Sequence, residues 1–294
     1  MDQLAGHTIS RFSLHHSELP APTGPEDAAT RSDHRVRIPP SFRPPPRGTV
    51  ILTNSPSAGI IGLSIGVRLQ QAGHHVTIVA RDFPGPFETI DPQAQINYTS
   101  PWGGAHNRWV PPGPDGADAR EHAMALRTFR HMAGLAAAHP EAGITWMRGI
   151  EYLEAPSAAY QILTDARAAE LGMEGFRTLG RDEFPDDRVQ WGCEYRTWCV
   201  NPMVYCMFLL RRLTFHGGKI VRRELRDPAE VFALGEDVLG EAGKDLRIVV
   251  NASGTGFGDK DSFIIRGMSS FFPTAPDAAL GKAEEADYGR RLGL

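Results

Sequence analysis

The sequence predicts an α/β fold built on a parallel sheet, with a second region of mixed strands later in the chain. The stretch from Thr49 to Asp82 has the pattern of a strand, a tight turn, a helix and a strand in close succession. Such a unit forms a right-handed crossover, which makes its two strands parallel. From about Ile144 to Arg196, short strands such as ITWMRGIEYL alternate with many turns, which indicates the second region.

The secondary structure of each element in this first unit is predicted by its own residues. TVILT is a β-branched, apolar run that suits a buried parallel strand, and HHVTIVA predicts the second strand. Between them, IIGLSIGVRLQQAG predicts a helix. Its residues Ile61, Ile65 and Leu69 are four apart, so we expect them to form its apolar face. Gly73 is expected to end the helix in a left-handed conformation.

Two longer helices and two strands follow. DAREHAMALRTFRHMAGLAAA predicts a helix with Asp118 as its N-cap. NPMVYCMFLLRRLTFHGG predicts another, with Asn201 as the cap, Pro202 in the first turn and two glycines at the end. KIVRREL and DLRIVVNASG are predicted strands that flank a short helix at AEVFAL.

Composition excludes several classes of protein. The 294 residues carry a net charge of −4 without a cluster of lysine or arginine, so neither nucleic acid nor a membrane surface is an expected partner. No apolar run approaches the roughly 18 residues of a membrane-spanning helix. The three cysteines fit no zinc-binding spacing, and we expect free thiols in a reducing intracellular compartment. The printed sequence ends in Arg-Leu-Gly-Leu and not in the peroxisomal tripeptide Ser-Lys-Leu, so we expect the cytoplasm rather than the peroxisome. Residues 1–46 hold 8 of the 23 prolines and are predicted to be a disordered leader.

The turn after the first strand is a candidate phosphate site. A dinucleotide-binding turn has the pattern Gly-x-Gly-x-x-Gly, in which the second glycine admits the pyrophosphate and the third packs the helix on the strand. Here the segment Ser57–Gly62 has the second and third glycines, Gly59 and Gly62, but serine in place of the first. The amides at the helix N-terminus are still available to a phosphate.

The end of the second strand supports this interpretation. Asp82 follows Gly62 by 82 − 62 = 20 residues, the spacing expected of the acidic residue that binds the ribose hydroxyls. The first strand, however, ends irregularly at Asn54, Ser55 and Pro56, and proline removes a hydrogen-bond donor there. The alternative is an ordinary βαβ unit with a glycine-rich turn.

A resemblance to a known family then favours the cofactor-binding interpretation of the turn. YTSPWGGAHNRWVPP, together with SAGIIGLS, VARDFPG and VVNASGTGFGD followed by IIRG, resembles the D-amino-acid oxidase family, including the D-aspartate oxidases. These motifs are most similar to those of the fungal members of the family. Gly103 stands where that family usually has alanine. YRTWCVNPMVYCMFLLRRL is similar to a further motif of the family. The resemblance extends from about Thr49 to Gly267.

The resemblance implies an FAD-binding Rossmann-like domain with a second, mixed-sheet substrate domain, incomplete at the C-terminus. It implies FAD as cofactor, a small-molecule D-amino acid and oxygen as reactants, and is compatible with a homodimer. The cofactor-binding residues that it implies are Gly59, Ile60, Ile61, Gly62, Arg81, Asp82, Gly103, Gly104, Ala105, Asn107, Leu225, Ser253 and Gly254. It leaves the catalytic residues unknown, and no metal is called for. His106 is a candidate to line the site, with a purely structural role as the alternative.

The domain organisation follows from the same comparison. We expect a leader (1–46), a first part of the FAD-binding domain (47–143), a substrate-domain segment (144–200), a second part of the FAD-binding domain (201–267) and a divergent tail (268–294). In the tail no motif of the family is found, so we expect the arginine that clamps the substrate carboxylate to be missing and turnover to be impaired. Arg108 is a candidate cation for an acidic substrate, by its proximity to the SPWGGAHN segment.

Three functions remain open at this point. The first is an FAD-dependent oxidase of D-amino acids, which forms a 2-oxo acid, ammonia and hydrogen peroxide. The second is a non-catalytic flavin- or nucleotide-binding remnant of the same family. The third is an NAD-dependent dehydrogenase with the same kind of turn, against which the flavin-wrapping SPWGGAHN segment argues.

Overall fold

The computed structural model describes residues 49–53, 57–89, 98–113, 116–244, 246, 248–254 and 257. The leader, the Asn54–Pro56 joint and the tail from residue 268 lie outside the described residues. The strands are β1 (Thr49–Thr53), β2 (His75–Ala80), β3 (Ala105–His106), β4 (Ile144–Leu153), β5 (Arg177–Thr178), β6 (Trp191–Val200), β7 (Lys219–Arg222) and β8 (Ile248–Asn251). The helices are α1 (Ile60–Gln71), α2 (Gly116–Ala138), α3 (Ala158–Gln161), α4 (Asp165–Glu170), α5 (Pro202–Phe215) and α6 (Glu236–Leu239).

The first sheet has the order β7-β2-β1-β8, and all its pairs are parallel. Its central strands are covered on both faces, which explains their unbroken apolar sequences. Leu52 and Ile78 belong to the core cluster that contains α1 and α5 residues. Ile51 and Val79 pack on the other face against a smaller cluster that includes Leu225. The predicted parallel βαβ unit is confirmed.

Helix α1 buries a different face from the predicted one. Its buried residues are Gly62, Leu63, Gly66 and Val67, whereas Ile61 is 65% exposed. The reason is the close approach of α5, because a Cβ at Gly66 would lie 2.6 Å from Leu213 Cδ1. The prediction that Ile61, Ile65 and Leu69 form the apolar face is therefore wrong for Ile61. Gly73 does end the helix with φ of 91°, as predicted.

The second sheet is antiparallel, with the order β3-β6-β4 and with β5 also paired to β6. Strands β4 and β6 pair along ten residues each, from Ile144 opposite Val200 to Leu153 opposite Trp191. Strand β4 has the same bounds as the predicted strand ITWMRGIEYL. An aromatic group that includes Trp109 and Phe129, with ring centroids 4.9 Å apart, packs against this sheet.

The two long helices begin differently from each other. In α5, Asn201 Oδ1 accepts a hydrogen bond from the Val204 amide and Pro202 occupies the first turn, so the predicted cap is confirmed. Helix α2 begins at Gly116, before Asp118. The Asp118 carboxylate instead accepts a hydrogen bond from the Gly113 amide at 2.8 Å. The prediction that Asp118 is the N-cap is therefore wrong, because its side chain binds the preceding loop. Among the described helices, none is both long and apolar enough to cross a membrane.

Buried thiols and phenols make the fold sensitive to alkaline pH. The three cysteines are free, as predicted. Burial raises the pKa of Cys206 from 9.0 to about 12. Burial, followed by the nearby Glu151, raises the pKa of Tyr160 from 10.0 to about 12. A group whose pKa is raised by folding stabilises the fold below its unfolded pKa and loses that contribution as the pH rises through its folded pKa.

We therefore expect the free energy of unfolding to fall as the pH rises from about 9 to about 12, because the unfolded chain releases these protons first. Urea titrations at a series of pH values measure this. Cys206→Ala, which removes one such group, is expected to make the fall shallower. A stability that stays constant up to pH 12 would contradict the prediction.

Candidate cofactor site

Most of the predicted site residues lie at one edge of the parallel sheet. The turn Ser57–Gly62 follows β1, the Arg81-Asp82 pair follows β2, and Ser253 and Gly254 follow β8. Leu225 comes three residues after the end of β7. The carboxyl ends of parallel strands meet at the same edge of a sheet, which is where open α/β sheets bind ligands. The fold thus brings together residues that are far apart in the sequence.

The turn presents free backbone donors. Gly59 is the N-cap of α1 with extended backbone (φ −76°, ψ 172°) and has no side chain to cap the helix. The Ile60 amide donates a hydrogen bond to Ser100 Oγ at 3.0 Å, and the Leu63 amide donates to the Gly59 carbonyl at 3.1 Å. Within the described residues, the amides of Ile61 and Gly62 bind no acceptor. These two donors, at the positive end of a helix dipole, suit a phosphate group.

Serine in place of the first glycine leaves the turn intact. Ser57 forms a parallel bridge with Asp82, and the Ala58 amide donates to the Asp82 carbonyl at 2.8 Å. The Ser57 hydroxyl also lies 3.4 Å from Asp82 Oδ2. Its φ is not positive, so the position does not require glycine. Ser57 is therefore paired with the residue that follows β2 by two positions, and the helix begins three residues after it.

The ribose carboxylate predicted at Asp82 is held by its neighbour. Arg81 Nε donates to Asp82 Oδ2 at 2.9 Å, and Arg81 Nη1 donates to Glu224 Oε1 at 3.1 Å. The hydrogen bond to Asp82 is the main cause of the raised pKa of Arg81. Asp82 Oδ1 binds no donor in the described part of the chain, so it remains available to hydroxyl groups. Glu224 was not predicted, because nothing in the sequence places it next to Arg81.

The SPWGGAHN segment brings small residues and one buried donor to the second sheet. Ala105 and His106 form β3, which pairs with Val200 and Cys199 of β6. A Cβ at Gly104 would meet nothing within 4 Å, and one at Gly103 only two carbonyls at 3.8 and 4.0 Å. Packing within the described part of the chain therefore does not explain these two glycines. Open space beside them is what a close-lying ligand requires.

Asn107 adds a buried polar atom that has no hydrogen-bond partner among the described residues. Its backbone N–H donates to the Trp198 carbonyl at 3.0 Å, and its backbone carbonyl accepts from Thr197 Oγ1 at 2.6 Å. Its side-chain Nδ2 is buried and has no acceptor among the described residues. Buried polar groups normally have partners, so an unsatisfied donor at this position fits a polar ligand atom.

Two hydrogen bonds connect the stretch YTSPWGGAHN, from Tyr98 to Asn107, to the turn. The Tyr98 hydroxyl donates to the Ala58 carbonyl, and Ser100 Oγ accepts from the Ile60 amide. Tyr98 is only 2% exposed, and burial strongly raises the pKa of its phenol, which keeps it a neutral donor. The two groups of predicted residues therefore lie next to each other. Neither Tyr98 nor Ser100 was predicted to make this contact, although both belong to the motif that carries the resemblance.

The remaining predicted residues follow β7 and β8. The Leu225 side chain is buried with Ile51 and Val79. Gly254 has φ of 65°, a conformation that favours glycine. The Ser253 amide donates to Asn251 Oδ1 at 3.0 Å.

Arg108 does not present a free charge. Its Nε donates to Glu151 Oε2 at 2.8 Å, and its Nη2 donates to the Tyr160 hydroxyl at 3.3 Å. Glu151 is 1% exposed, and its other carboxylate oxygen accepts a hydrogen bond from the Tyr195 hydroxyl. The guanidinium is therefore paired with a buried carboxyl group of β4, which argues against the suggestion that it binds an acidic substrate.

These features define a dinucleotide-binding domain, with a glycine turn at the carboxyl edge of a parallel sheet and a second, antiparallel sheet beside it. A family model described as FAD dependent oxidoreductase matches residues 58–286. The chain belongs to this FAD-dependent family, and its resemblance to the D-amino-acid oxidases is confirmed. The match extends beyond Gly267, where the resemblance of the motifs ended.

Two curated relatives illustrate the similarity. The chain is 38% identical over 238 residues to a D-aspartate oxidase of Talaromyces thermophilus, which covers 76% of this chain and 61% of the relative. It is 27% identical over 207 residues to a D-amino-acid oxidase of Fusarium vanettenii, covering 68% of this chain and 52% of the relative. This chain thus spans between half and two thirds of each relative's length. Among solved structures, an L-amino acid deaminase from Proteus vulgaris aligns with a TM-score of 0.40 at 16% identity, over 61% of this chain and 40% of that one.

Proposed function

We propose that this chain binds FAD and serves in the oxidation of D-amino acids to 2-oxo acids, with ammonia and hydrogen peroxide as the other products. The observation that carries the proposal is the pair of amides at Ile61 and Gly62, which bind no acceptor within the described residues, on a turn that is hydrogen-bonded to Ser100 of the SPWGGAHN segment. Family membership and the two relatives support the same conclusion.

Each predicted residue has a position that fits one part of FAD. The turn from Gly59 to Gly62 would bind the pyrophosphate through its amides. Asp82 would accept hydrogen bonds from the ribose, oriented by Arg81. Gly103, Gly104, Ala105 and Asn107 would lie beside the flavin, with Leu225 near the adenine, and Ser253 and Gly254 in a second close turn.

When bound, FAD supplies the electron acceptor for oxidation at the substrate α-carbon, with oxygen as the final oxidant. The part of the chain that the structure describes contributes by binding and orientation. The open glycines let the backbone approach the ligand, and the buried Asn107 Nδ2 offers it one donor. The Tyr98 and Ser100 contacts fix the spacing between the turn and this segment.

A non-catalytic flavin-binding protein is the second candidate. The observation in its favour is that Arg108, the cation suggested for an acidic substrate, is neutralised by Glu151. A homodimer and a cytoplasmic location belong to the first proposal, and the three free cysteines support a reducing compartment.

The test is reconstitution of the purified protein with FAD, followed by absorbance spectroscopy and a peroxide assay. We expect retained yellow colour, and slow formation of peroxide with D-aspartate or D-alanine but not with their L-enantiomers. Colour without peroxide would favour the non-catalytic protein. No retained flavin would refute the proposal.

A further inference from the structure

We infer that the C-terminal half of α5 forms the interface of a homodimer, in which Phe215 of each chain enters a cleft on the surface of the other. The two copies would be related by a two-fold axis, the commonest symmetry of soluble oligomers. This inference assigns a surface to the homodimer that accompanies the proposed function, but it does not depend on FAD binding. Its basis is a cleft, an exposed aromatic ring and two opposite charges that lie together in the structure.

The cleft lies where the end of α5 meets the turn Pro140–Ala142, which follows α2. It has a volume of about 820 Å³. Four of its lining residues are spaced i, i+3, i+4 and i+7 along α5, so they share one face of that helix. They are Phe208, Arg211, Arg212 and Phe215, and the other side is lined by His139 and Glu141. One helix face and one turn thus form a concave surface that carries aromatic rings and both signs of charge.

Hydrogen bonds hold the walls of the cleft in position. Arg212 Nη1 donates to His139 Nε2 at 2.8 Å. Because Nε2 accepts this bond, the imidazole carries its proton on Nδ1, which donates to Glu141 Oε1 at 3.2 Å. The Arg212 guanidinium also lies over the Phe208 ring, 5.9 Å from its centroid. Walls that are fixed in this way lose little conformational freedom when a partner binds.

Phe215 supplies the group that would enter the cleft of the partner. It is the last residue of α5 and is 87% exposed, more than any other large apolar side chain in the described part of the molecule. A single exposed apolar side chain is ordinary on a protein surface. This one, however, stands at the edge of a cleft that it helps to line. Because the protruding ring and the cleft lie on one surface, a two-fold axis brings each ring to the cleft of the other copy.

The charges beside the cleft match a second copy of the chain. Arg211 is exposed, and the Glu141 side chain is 55% exposed. The pKa of Glu141 is lowered, first by a backbone hydrogen bond and further by His139 and Arg211, so it is ionised at neutral pH. In a two-fold contact, Arg211 of each chain can pair with Glu141 of the partner subunit at the rim of the buried rings. An anionic small molecule fits the cleft less well, because Glu141 would repel it.

The first experiment measures the dissociation constant of the dimer by sedimentation equilibrium on the full chain. We expect the wild type to be dimeric at micromolar concentrations. Phe215→Asp should raise the dissociation constant at least about a hundredfold, because it places two charges at the aromatic centre of a symmetric contact. Phe232→Asp is the matched control and should leave the constant unchanged, since Phe232 is 59% exposed and does not line the cleft. FAD retention should be equal in all three proteins.

The second experiment reverses the two charges. Arg211→Glu gives a chain with acidic residues at both positions, and Glu141→Arg gives a chain with basic residues at both. In a homodimer of either variant like charges meet twice, so each variant alone should be monomeric. An equimolar mixture brings opposite charges together in both contacts and should form a heterodimer, which sedimentation velocity detects. Only a contact between chains predicts this result, because mixing cannot repair a contact within one chain.

Each result supports or overturns the inference. A monomeric wild type overturns it and leaves the proposed FAD binding untouched. A dimer that withstands Phe215→Asp places the interface elsewhere and also overturns it, as does a mixture of the charge variants that stays monomeric. If a charge variant does not fold, Phe215→Ser removes the exposed ring without adding charge. It should weaken the dimer as well, and an unchanged dissociation constant would overturn the inference.

Discussion

Gly59→Val is expected to abolish FAD binding while leaving the protein folded. A Cβ at this position already lies 3.0 Å from Ser100 Oγ, and the two methyl groups of valine extend further into the space over the turn. A phosphate would lose its access to the amides of Ile61 and Gly62. The loss of two charge-assisted hydrogen bonds, at about 1.5–3 kcal/mol each, weakens binding by at least about a hundredfold. Quenching of flavin fluorescence in a titration measures the change.

Gly134→Val provides the matched control for this substitution. Gly134 lies in α2, is exposed, and would place its Cβ where nothing lies within 4 Å. Valine and glycine differ little in helix propensity, so both the melting temperature and the FAD affinity should stay near wild type. If Gly59→Val bound FAD as tightly as Gly134→Val, the turn would not be the phosphate site.

Local rules predicted much of the fold. The cap at Asn201 and the left-handed Gly73 depend only on neighbouring residues, and both are confirmed. The buried face of α1 depends instead on a partner distant in sequence. The spacing of apolar residues predicted that Ile61 would be buried. The helix instead buries the face that contains Gly66, which packs against Leu213. Asp118 was misassigned for a similar reason, since its partner, Gly113, lies in the loop rather than in the helix.

In the candidate site too, features set by nearby residues were predictable and contacts between distant residues were not. Residues at strand ends were predictable, because a motif and its spacing place them there. The contacts of Tyr98 and Ser100 with the turn were not, although the motif that contains them was recognised. Side-chain pairs such as Arg81 with Glu224 join positions that only the tertiary fold brings together. Sequence patterns report where the backbone approaches a ligand, and the structure adds which side chains fix that approach.

The ion pair between Arg108 and Glu151 is the clearest case of a feature without a sequence signal. Glu151 lies on β4 opposite Cys193 of β6, and register alone buries it. Burial of this carboxyl group has a desolvation cost, which the hydrogen bonds from Arg108 and from the hydroxyl of Tyr195 offset. Because Arg108 directly follows Asn107, the pair ties the SPWGGAHN segment to the second sheet. We therefore infer that this ion pair stabilises the position of the SPWGGAHN segment.

Glu151→Ala is accordingly expected to destabilise the protein by about 3 kcal/mol. Removing one partner of a buried pair costs about 3–5 kcal/mol, and the lower end applies because the Arg108 side chain keeps 33% of its surface exposed. The substitution also leaves the buried Tyr195 hydroxyl without its acceptor. Urea-induced unfolding measures the difference in the free energy of unfolding.

Two further variants test the cause of that loss. Glu170→Ala removes a carboxylate from an exposed pair with Arg167 on α4 and should cost less than about 1 kcal/mol. The double variant Arg108→Met with Glu151→Leu removes both charges, and it should recover part of the stability that Glu151→Ala loses, because no uncompensated charge remains. If the double variant were less stable than Glu151→Ala, charge balance would not be what holds this segment. A cost for Glu151→Ala as small as that for Glu170→Ala would show that the carboxylate is not effectively buried.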